Sequence, residues 1–278
     1  MQDRAARPRK HRPFDCRPQS PHAKPAKGAG SQRRSSRPEF RQSADVVILY
    51  GWHTVAAALE NPARRFRRLL ATENAQRRLA EEGLVLPIEP EVVRPDVIAA
   101  RLGPDAVHQG LLAEAEPLAA PEIDELASDG IVLALDQITD PHNVGAIMRS
   151  AAAFGVAAVV TTARHSPEAT GVLAKSASGA LEHVPIVIVQ NLARGLEALR
   201  QNGFLVVGLD SQGTEDLTAT PLRRPLAIVL GAEGKGLRQL TRATCDAVAR
   251  LDLPGAITSL NVSNAAALGL YVVITKTV

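Results

Sequence analysis

Cysteine is scarce in this chain: its 278 residues hold two, Cys16 and Cys245. Two such residues build neither a disulfide framework nor a metal-ligand set, so a reducing compartment and a metal-free protein are expected. Long apolar runs are lacking as well. Those present, such as Ile131–Leu135 and Pro185–Val189, are strand-sized, and none approaches the length that crosses a bilayer. No apolar stretch follows the charged N-terminus, as a secretory signal requires. Aromatics are few, at 3%, while apolar residues, at 45%, are ordinary for a globular protein. The chain reads as soluble and cytoplasmic, with room for one large or two modest domains.

The formal net charge of +3 hides an asymmetry. Residues 1–44 carry 12 Lys and Arg against 3 Asp and Glu, whereas residues 45–278 carry 20 against 26. The first stretch is rich in Pro, Arg, Lys, Ser and Gln and poor in aliphatics, so it buries too little to offset the entropy of ordering. We read 1–44 as a disordered basic tail. Such an arm is an electrostatic anchor for nucleic-acid phosphates or a solubilising extension.

Residues 45–117 read as a small α/β unit. Strands are expected at Val46–Leu49, Phe66–Ala71, Leu84–Ile88 and Gln109–Ala115, and helices at Thr54–Leu59, Ala75–Glu82 and Glu91–Arg101. The arginines Arg64, Arg65, Arg67 and Arg68 form either a nucleic-acid edge or a solvated face. Residues 118–129 read as a linker with at most one helical turn. From residue 130 to 278, apolar strands alternate with helices: Ile131–Asp136, Asn143–Phe154, Val156–Thr161, Ala169–Ser178, Val184–Val189, Leu192–Gln201, Phe204–Leu209, Leu226–Leu230, Leu237–Cys245, Val248–Leu253 and Ser259–Thr275. That alternation implies a mainly parallel sheet covered on both faces. Ligands gather at the carboxyl ends of the strands in such sheets.

Three loops follow strand ends and carry unusual polar content. In Leu135–Val156, Asn143 stands where a helix cap belongs, and Arg149 is a cation on a helix otherwise of Ala, Ile, Met and Phe, which needs a partner, an anion or the wet face. In Ile228–Leu237, Gly231, Gly234 and Gly236 flank Ala232, Glu233 and Lys235. This loop lacks the Lys-Ser/Thr of a Walker loop and sits too late in its domain for a dinucleotide fingerprint. In Leu253–Tyr271, polar residues at 258, 259, 261, 263 and 264 crowd the mouth of an Ala-rich helix. Ser259 is placed to cap that helix, and the cluster is placed equally to meet a ligand.

In order and content the three loops resemble the motifs of the SpoU/TrmH family of RNA ribose 2′-O-methyltransferases, of the SPOUT class. Asn143 and Arg149 in DPHNVGAIMRSA carry the match, with Gly231-Ala232-Glu233-Gly234, Gly236-Leu237, and Ser259-Leu260-Asn261-Val262-Ser263. Lys175–Val187, KSASGALEHVPIV, looks like the family's segment between motifs. Tyr50–Val55 and His108-Gln109-Gly110 look like the small N-terminal RNA-recruiting domain. The likeness spans roughly residues 46–278 and is nearest the branch that methylates a guanosine of 23S ribosomal RNA; the basic tail lies outside it.

The resemblance implies a trefoil-knotted methyltransferase domain, S-adenosylmethionine as cofactor, RNA as substrate and a homodimer with its site near the interface. Matched motif by motif, the cofactor pocket includes Gly231, Ala232, Gly234, Leu253 and Leu260. Glu233, Ser259 and Asn261 shape the reaction site, and Arg149 is catalytic. A guanidinium holds its proton in proteins, so the expectation is that Arg149 stabilises a developing alkoxide and a neighbouring phosphate, with Asn143 orienting it by a hydrogen bond. The alternatives are a transfer-RNA methyltransferase, a non-catalytic RNA-binding relative, and a small-molecule α/β enzyme. The last explains neither the tail nor the first unit.

Overall fold

In the computed structural model of the chain, the described residues are 46–103, 105–126, 128–164, 171–257 and 259–277; the basic tail expected at 1–44 lies outside them. They belong to one compact unit. Its N-terminal part runs β1 (Val47–Tyr50), α1 (Trp52–Glu60), β2 (Phe66–Ala71), α2 (Glu73–Glu81), β3 (Glu91–Val92), α3 (Pro95–Leu102) and β4 (Leu111–Ala115). The sheet order is β1-β4-β2-β3, with β4 antiparallel to both neighbours and β3 parallel to β2. The two short motifs of this part meet each other: the Trp52 N–H donates to Gln109 Oε1 at 2.9 Å.

Two expectations here fail for one reason. Leu84–Ile88 is not a strand, and the helix expected from Glu91 begins only at Pro95. Pro87 and Pro90 cannot donate to a ladder, and the residue before a proline is pushed out of the helical region. Leu84, Leu86 and Ile88 still alternate inward against the core of this part, so the burial rhythm is real while the pairing is absent. Glu91–Val92 then pairs with β2, and Pro95 occupies the first turn of α3, where its missing N–H costs nothing.

The remainder runs β5 (Ile131–Asp136), α4 (Pro141–Ala153), β6 (Ala158–Thr162), α5 (Gly171–Ala177), β7 (Ile186–Val189), α6 (Leu192–Gln201), β8 (Leu205–Leu209), β9 (Glu215–Asp216), β10 (Leu226–Gly231), α7 (Gln239–Thr244), β11 (Ala247–Arg250) and α8 (Val262–Thr277). Its seven strands lie in the order β7-β6-β5-β10-β8-β11-β9, and every pairing is parallel. The two-residue β9 was too short to carry a signal. On β5 the side chains split by parity. Ile131, Leu133 and Leu135 join Ile147, Met148, Ala266 and Leu270 of α4 and α8, while Val132 and Ala134 join Leu192, Leu196 and Leu199 of α6. Both faces are therefore covered, as near-continuous apolar strands require. Within 118–129 there is one 3-10 turn, Ile123–Glu125, and Ile123 is buried beside α6.

Strand order reverses between β5 and β10, which are neighbours in space though β6 to β9 intervene in the chain. At such a reversal the loops after adjacent strands diverge and leave a crevice at their carboxyl ends. Among the described residues, no helix is long and apolar enough to cross a membrane.

The N-terminal part is seated on α5 and the turn after it. Arg64 and Glu182 pair with side chains only 4% and 2% exposed. The pairing is two-pronged, Nη2 to Oε1 at 2.6 Å and Nε to Oε2 at 3.1 Å. Asn61 also donates to Oε2 at 2.8 Å, and Arg64 Nη1 donates to the Glu116 carbonyl at 2.8 Å. Of the four clustered arginines, Arg64 is therefore an internal tie. Arg67 and Arg68 pair with Glu116 and Glu91, and Arg65 is exposed. A buried charge stripped of its partner is costly. Arg64→Ala and Glu182→Ala should each lower the stability seen in urea unfolding by about 3–5 kcal/mol. The double replacement Arg64→Met with Glu182→Leu should recover most of that.

Candidate active site

The crevice at the strand ends is a cavity of about 860 Å³, within the range that accommodates a drug-sized ligand. Gly231 ends β10, and its loop doubles back so tightly that a Cβ there would lie 2.3 Å from the Gly236 carbonyl carbon. No side chain fits that position. The Gly236 N–H donates to the Ala232 carbonyl at 2.9 Å, and Gly234 and Gly236 both hold positive φ, +73° and +64°. The glycines thus make a hairpin that presents Ala232, Glu233 and Gly234 to the cavity.

Two carboxylates that the sequence reading missed clamp this hairpin from the flanking strands. Asp136 closes β5 with a fully buried side chain and accepts from the Arg238 N–H at 2.9 Å and from Arg238 Nε at 2.6 Å. Asp210 follows β8 and accepts from the Leu237 N–H at 3.0 Å and from the Gln212 N–H at 2.8 Å. Their sequence signal was legible: in IVLALD and LVVGLD a lone carboxylate closes an apolar strand at the ligand-facing end.

Glu233 draws the other two loops in. Its Oε1 accepts from Asn261 Nδ2 at 2.6 Å, from Asn143 Nδ2 at 3.2 Å and from the Val262 N–H at 3.2 Å. Asn261 Nδ2 also donates to Asn143 Oδ1 at 2.9 Å. The carboxylate sits at the N-terminus of α8, where the unpaired N–H groups and helix dipole favour negative charge. One acceptor thereby ties the loops after β5, β10 and β11.

Two capping expectations are corrected. α4 starts at Pro141, and Asp140 caps it by accepting from the His142 N–H at 3.0 Å. Asn143 lies inside the first turn and is free to reach Glu233. α8 starts at Val262 rather than Ser259. Asn261 accepts from the Ser263 N–H at 2.9 Å and from Ser263 Oγ at 2.5 Å, so Asn261 is the cap. Ser259 is exposed at the cavity wall.

Gly231, Ala232, Gly234, Leu253 and Leu260 all line the cavity, as do Glu233, Ser259 and Asn261; Asn143 joins through its bonds. Arg149 does not line it. It is exposed on α4 and forms no hydrogen bond or ion pair among the described residues. The expected Asn143–Arg149 hydrogen bond is absent for a geometric reason. Six residues of helix separate them by about 9 Å of rise and about 240° of rotation, and the Asn143 amide is committed to Glu233 and Asn261. Cys245, expected within a helix, directly follows α7, and burial pushes its thiol up to about 12. Among the described residues, no group of His, Cys, Asp and Glu is arranged to hold a metal.

The lining suits a ligand with a flat apolar part and a polar part. Leu209, Leu253 and Leu260 supply apolar wall, the hairpin supplies backbone, and the charged residues are Asp210 and Glu233 with Lys235 and Arg242. Fold and site together define a parallel α/β domain with a nucleotide-sized pocket, joined to a small α/β module. The SpoU rRNA Methylase family profile matches residues 130–271, and the profile for RNA 2′-O ribose methyltransferase substrate binding matches 48–121. The chain is 37% identical over 238 residues to the 23S rRNA (guanosine-2′-O-)-methyltransferase RlmB of Vibrio cholerae, covering 81% of this chain and 94% of that one. With the protein of the same name from Ralstonia nicotianae it shares 39% over 239 residues, covering 81% and 93%. The SpoU methyltransferase AviRb of Streptomyces viridochromogenes, solved in complex with the cofactor AdoMet, superposes with a TM-score of 0.71 at 25% identity, covering 84% of this chain and 91% of that one. This chain belongs to the SpoU methylase family.

The capping assignment is testable by substitution. Asn261→Ala should cost about 1 kcal/mol in thermal or urea unfolding, the ordinary worth of a cap. Ser259→Ala should leave stability within about 0.5 kcal/mol of the parent, as exposed sites generally do.

Proposed function

We propose that this chain methylates a ribose 2′-hydroxyl of RNA from S-adenosylmethionine, its target a guanosine of 23S ribosomal RNA. The observation that carries this reading is the three-loop pocket tied by Glu233, together with the relatives of the same architecture. Gly231, Ala232 and Gly234 hold the cofactor by main chain, and Leu253 and Leu260 cover its adenine. The carboxylate of Glu233 answers its positive charge, while Asp210 is balanced by Arg242. Bound there, S-adenosylmethionine supplies a methyl on a sulfonium, an electrophile that needs no further activation.

The protein's contribution is then alignment and handling of the hydroxyl proton. Ser259 and Asn261 border the place where the ribose enters. Arg149 stabilises the developing alkoxide and the adjacent phosphate, which matches the planar fork of a guanidinium. The proton passes to a phosphate oxygen or water.

Arg149 stands outside the pocket of its own chain, which supports a homodimer in which a second copy completes the site. α8 supports the same reading, because its large apolar residues Leu268 and Tyr271 are 47% and 59% exposed. The trefoil knot that the family resemblance implies belongs to this proposal. The division into an RNA-recruiting part at 45–117, a linker at 118–129 and a catalytic part at 130–278 belongs to it also.

Transfer of radiolabelled methyl from S-adenosylmethionine to unmodified 23S ribosomal RNA, followed by mapping of the 2′-O-methyl position, tests the reading. Arg149→Ala should reduce turnover by about 10²-fold or more, the usual loss for one charge-stabilising donor. Cofactor affinity should stay within about twofold of the parent, since the residue lies outside the pocket. Arg149→Lys should fall between. Full turnover in the alanine variant would sink the assignment.

A further inference from the structure

Charge pairing divides the cations of this protein into two groups. In the N-terminal part Arg64, Arg67, Arg68, Arg78, Arg94 and Arg101 each face a carboxylate. Lys175, on α5 at the seam between the two parts, faces none among the described residues. Its Nζ donates to the Val107 carbonyl and lies 5.4 Å from the centre of the Tyr50 ring. An ammonium has three donors, so two remain for a ligand. The next residue, Ser176, places its Oγ 3.2 Å from His142 Nδ1. His142 is exposed and directly precedes Asn143, which is bonded to Glu233 at the pocket. Val107, to which Lys175 donates, is followed in the chain by His108 and Gln109, the latter accepting from Trp52.

We propose that Lys175, with His142 and Ser176, forms a phosphate-binding step on which the substrate RNA strand crosses from the N-terminal part to the pocket. The inference rests on the RNA-methyltransferase reading and assigns that strand a path. Three observations carry it. Lys175 bonds the N-terminal part at the Val107 carbonyl, and the next residue, Ser176, bonds His142 beside Asn143, so α5 carries the set from the recruiting part to the site. Its cation faces no carboxylate among the described residues, unlike the six paired arginines of the N-terminal part. The seam is held rigid by the buried Arg64–Glu182 pair and by the Thr54 hydroxyl, which donates to the Ala174 carbonyl at 3.2 Å, so the spacing of the set does not depend on a mobile linker. Partial burial also lowers the pKa of Lys175, and burial together with Lys175 lowers that of His108. A phosphate would offset the desolvation of the ammonium.

The test is the affinity of the full chain for in-vitro-transcribed 23S ribosomal RNA across a salt series. Lys175→Gln keeps a donor for the Val107 carbonyl and removes the charge. It should weaken binding about 3- to 10-fold near 0.15 M salt and shallow the log–log salt slope by about 0.7–0.9, the worth of one phosphate contact. Lys175→Arg should keep the parent slope, and cofactor affinity should not change in either variant. A parent-like slope and affinity in Lys175→Gln would overturn the proposal. If that variant unfolds, His142→Ala decides, because its side chain is exposed: about threefold weaker RNA binding supports the path, and parent-like binding refutes it. If the parent chain itself neither binds nor methylates the RNA, the functional reading fails first and takes the path with it.

Discussion

The carboxylate of Glu233 is the point on which the catalytic part depends. Three chain segments that follow three different strands meet at one oxygen. Two of them reach it from the first turns of α4 and α8, and the third is the hairpin that carries Glu233 itself. A loop that satisfies its polar groups only against water is mobile, whereas one that donates to a shared anion is placed. The anion is in turn placed by the start of α8, whose first N–H it accepts. The carboxylate therefore does for the pocket what a cap does for a helix, and it links the pocket's geometry to the stability of α8.

The rest of the site follows from the sheet. Parallel strands deliver their loops to one edge, and reversal of strand order between β5 and β10 opens the crevice there. Asp136 and Asp210, at the ends of the strands on either side of β10, fix the far side of the glycine hairpin. The hairpin thus continues β10 at one end, is held by two carboxylates at the other, and is shaped in the middle by its own glycines. Remote packing serves the same purpose at the seam. The Arg64–Glu182 pair adds little net stability over a well-packed apolar pair, but its fork geometry admits one arrangement. It fixes where the N-terminal part sits relative to the pocket.

Much of this was legible in the sequence. Strand Phe66–Ala71 and helix Leu192–Gln201 have the bounds that periodicity predicts, because each is bordered by turn or cap chemistry; the helix buries one stripe, and the strand buries Leu69 and Ala71 in one core cluster and Leu70 in another. The three loops could be read as polar mouths on apolar elements, and together they match one family. Helix starts were less legible. At Asp140 and Asn261 several capping residues stand within a few positions of one another, and local propensity cannot choose among them; Glu233, distant in sequence, makes the choice. Leu84–Ile88 shows the complementary failure, since alternation reports burial and not hydrogen-bond partners. The pairing of Arg64 with Glu182 had no sequence signal, because the two are joined only by the fold. Arg149 was legible as a cation that needs a partner, an anion or the wet face, yet its placement outside the pocket could not be read from one chain's motif.

If the Glu233 carboxylate assembles the three loops into a cofactor pocket, its removal must weaken cofactor binding. Calorimetric titration of S-adenosylmethionine into the full chain and into its Glu233→Ala form measures this. Saturable one-site binding to the parent and at least about tenfold weaker binding to the variant are expected, on the scale of a lost charged hydrogen bond. A folded variant that binds the cofactor as the parent does would contradict it.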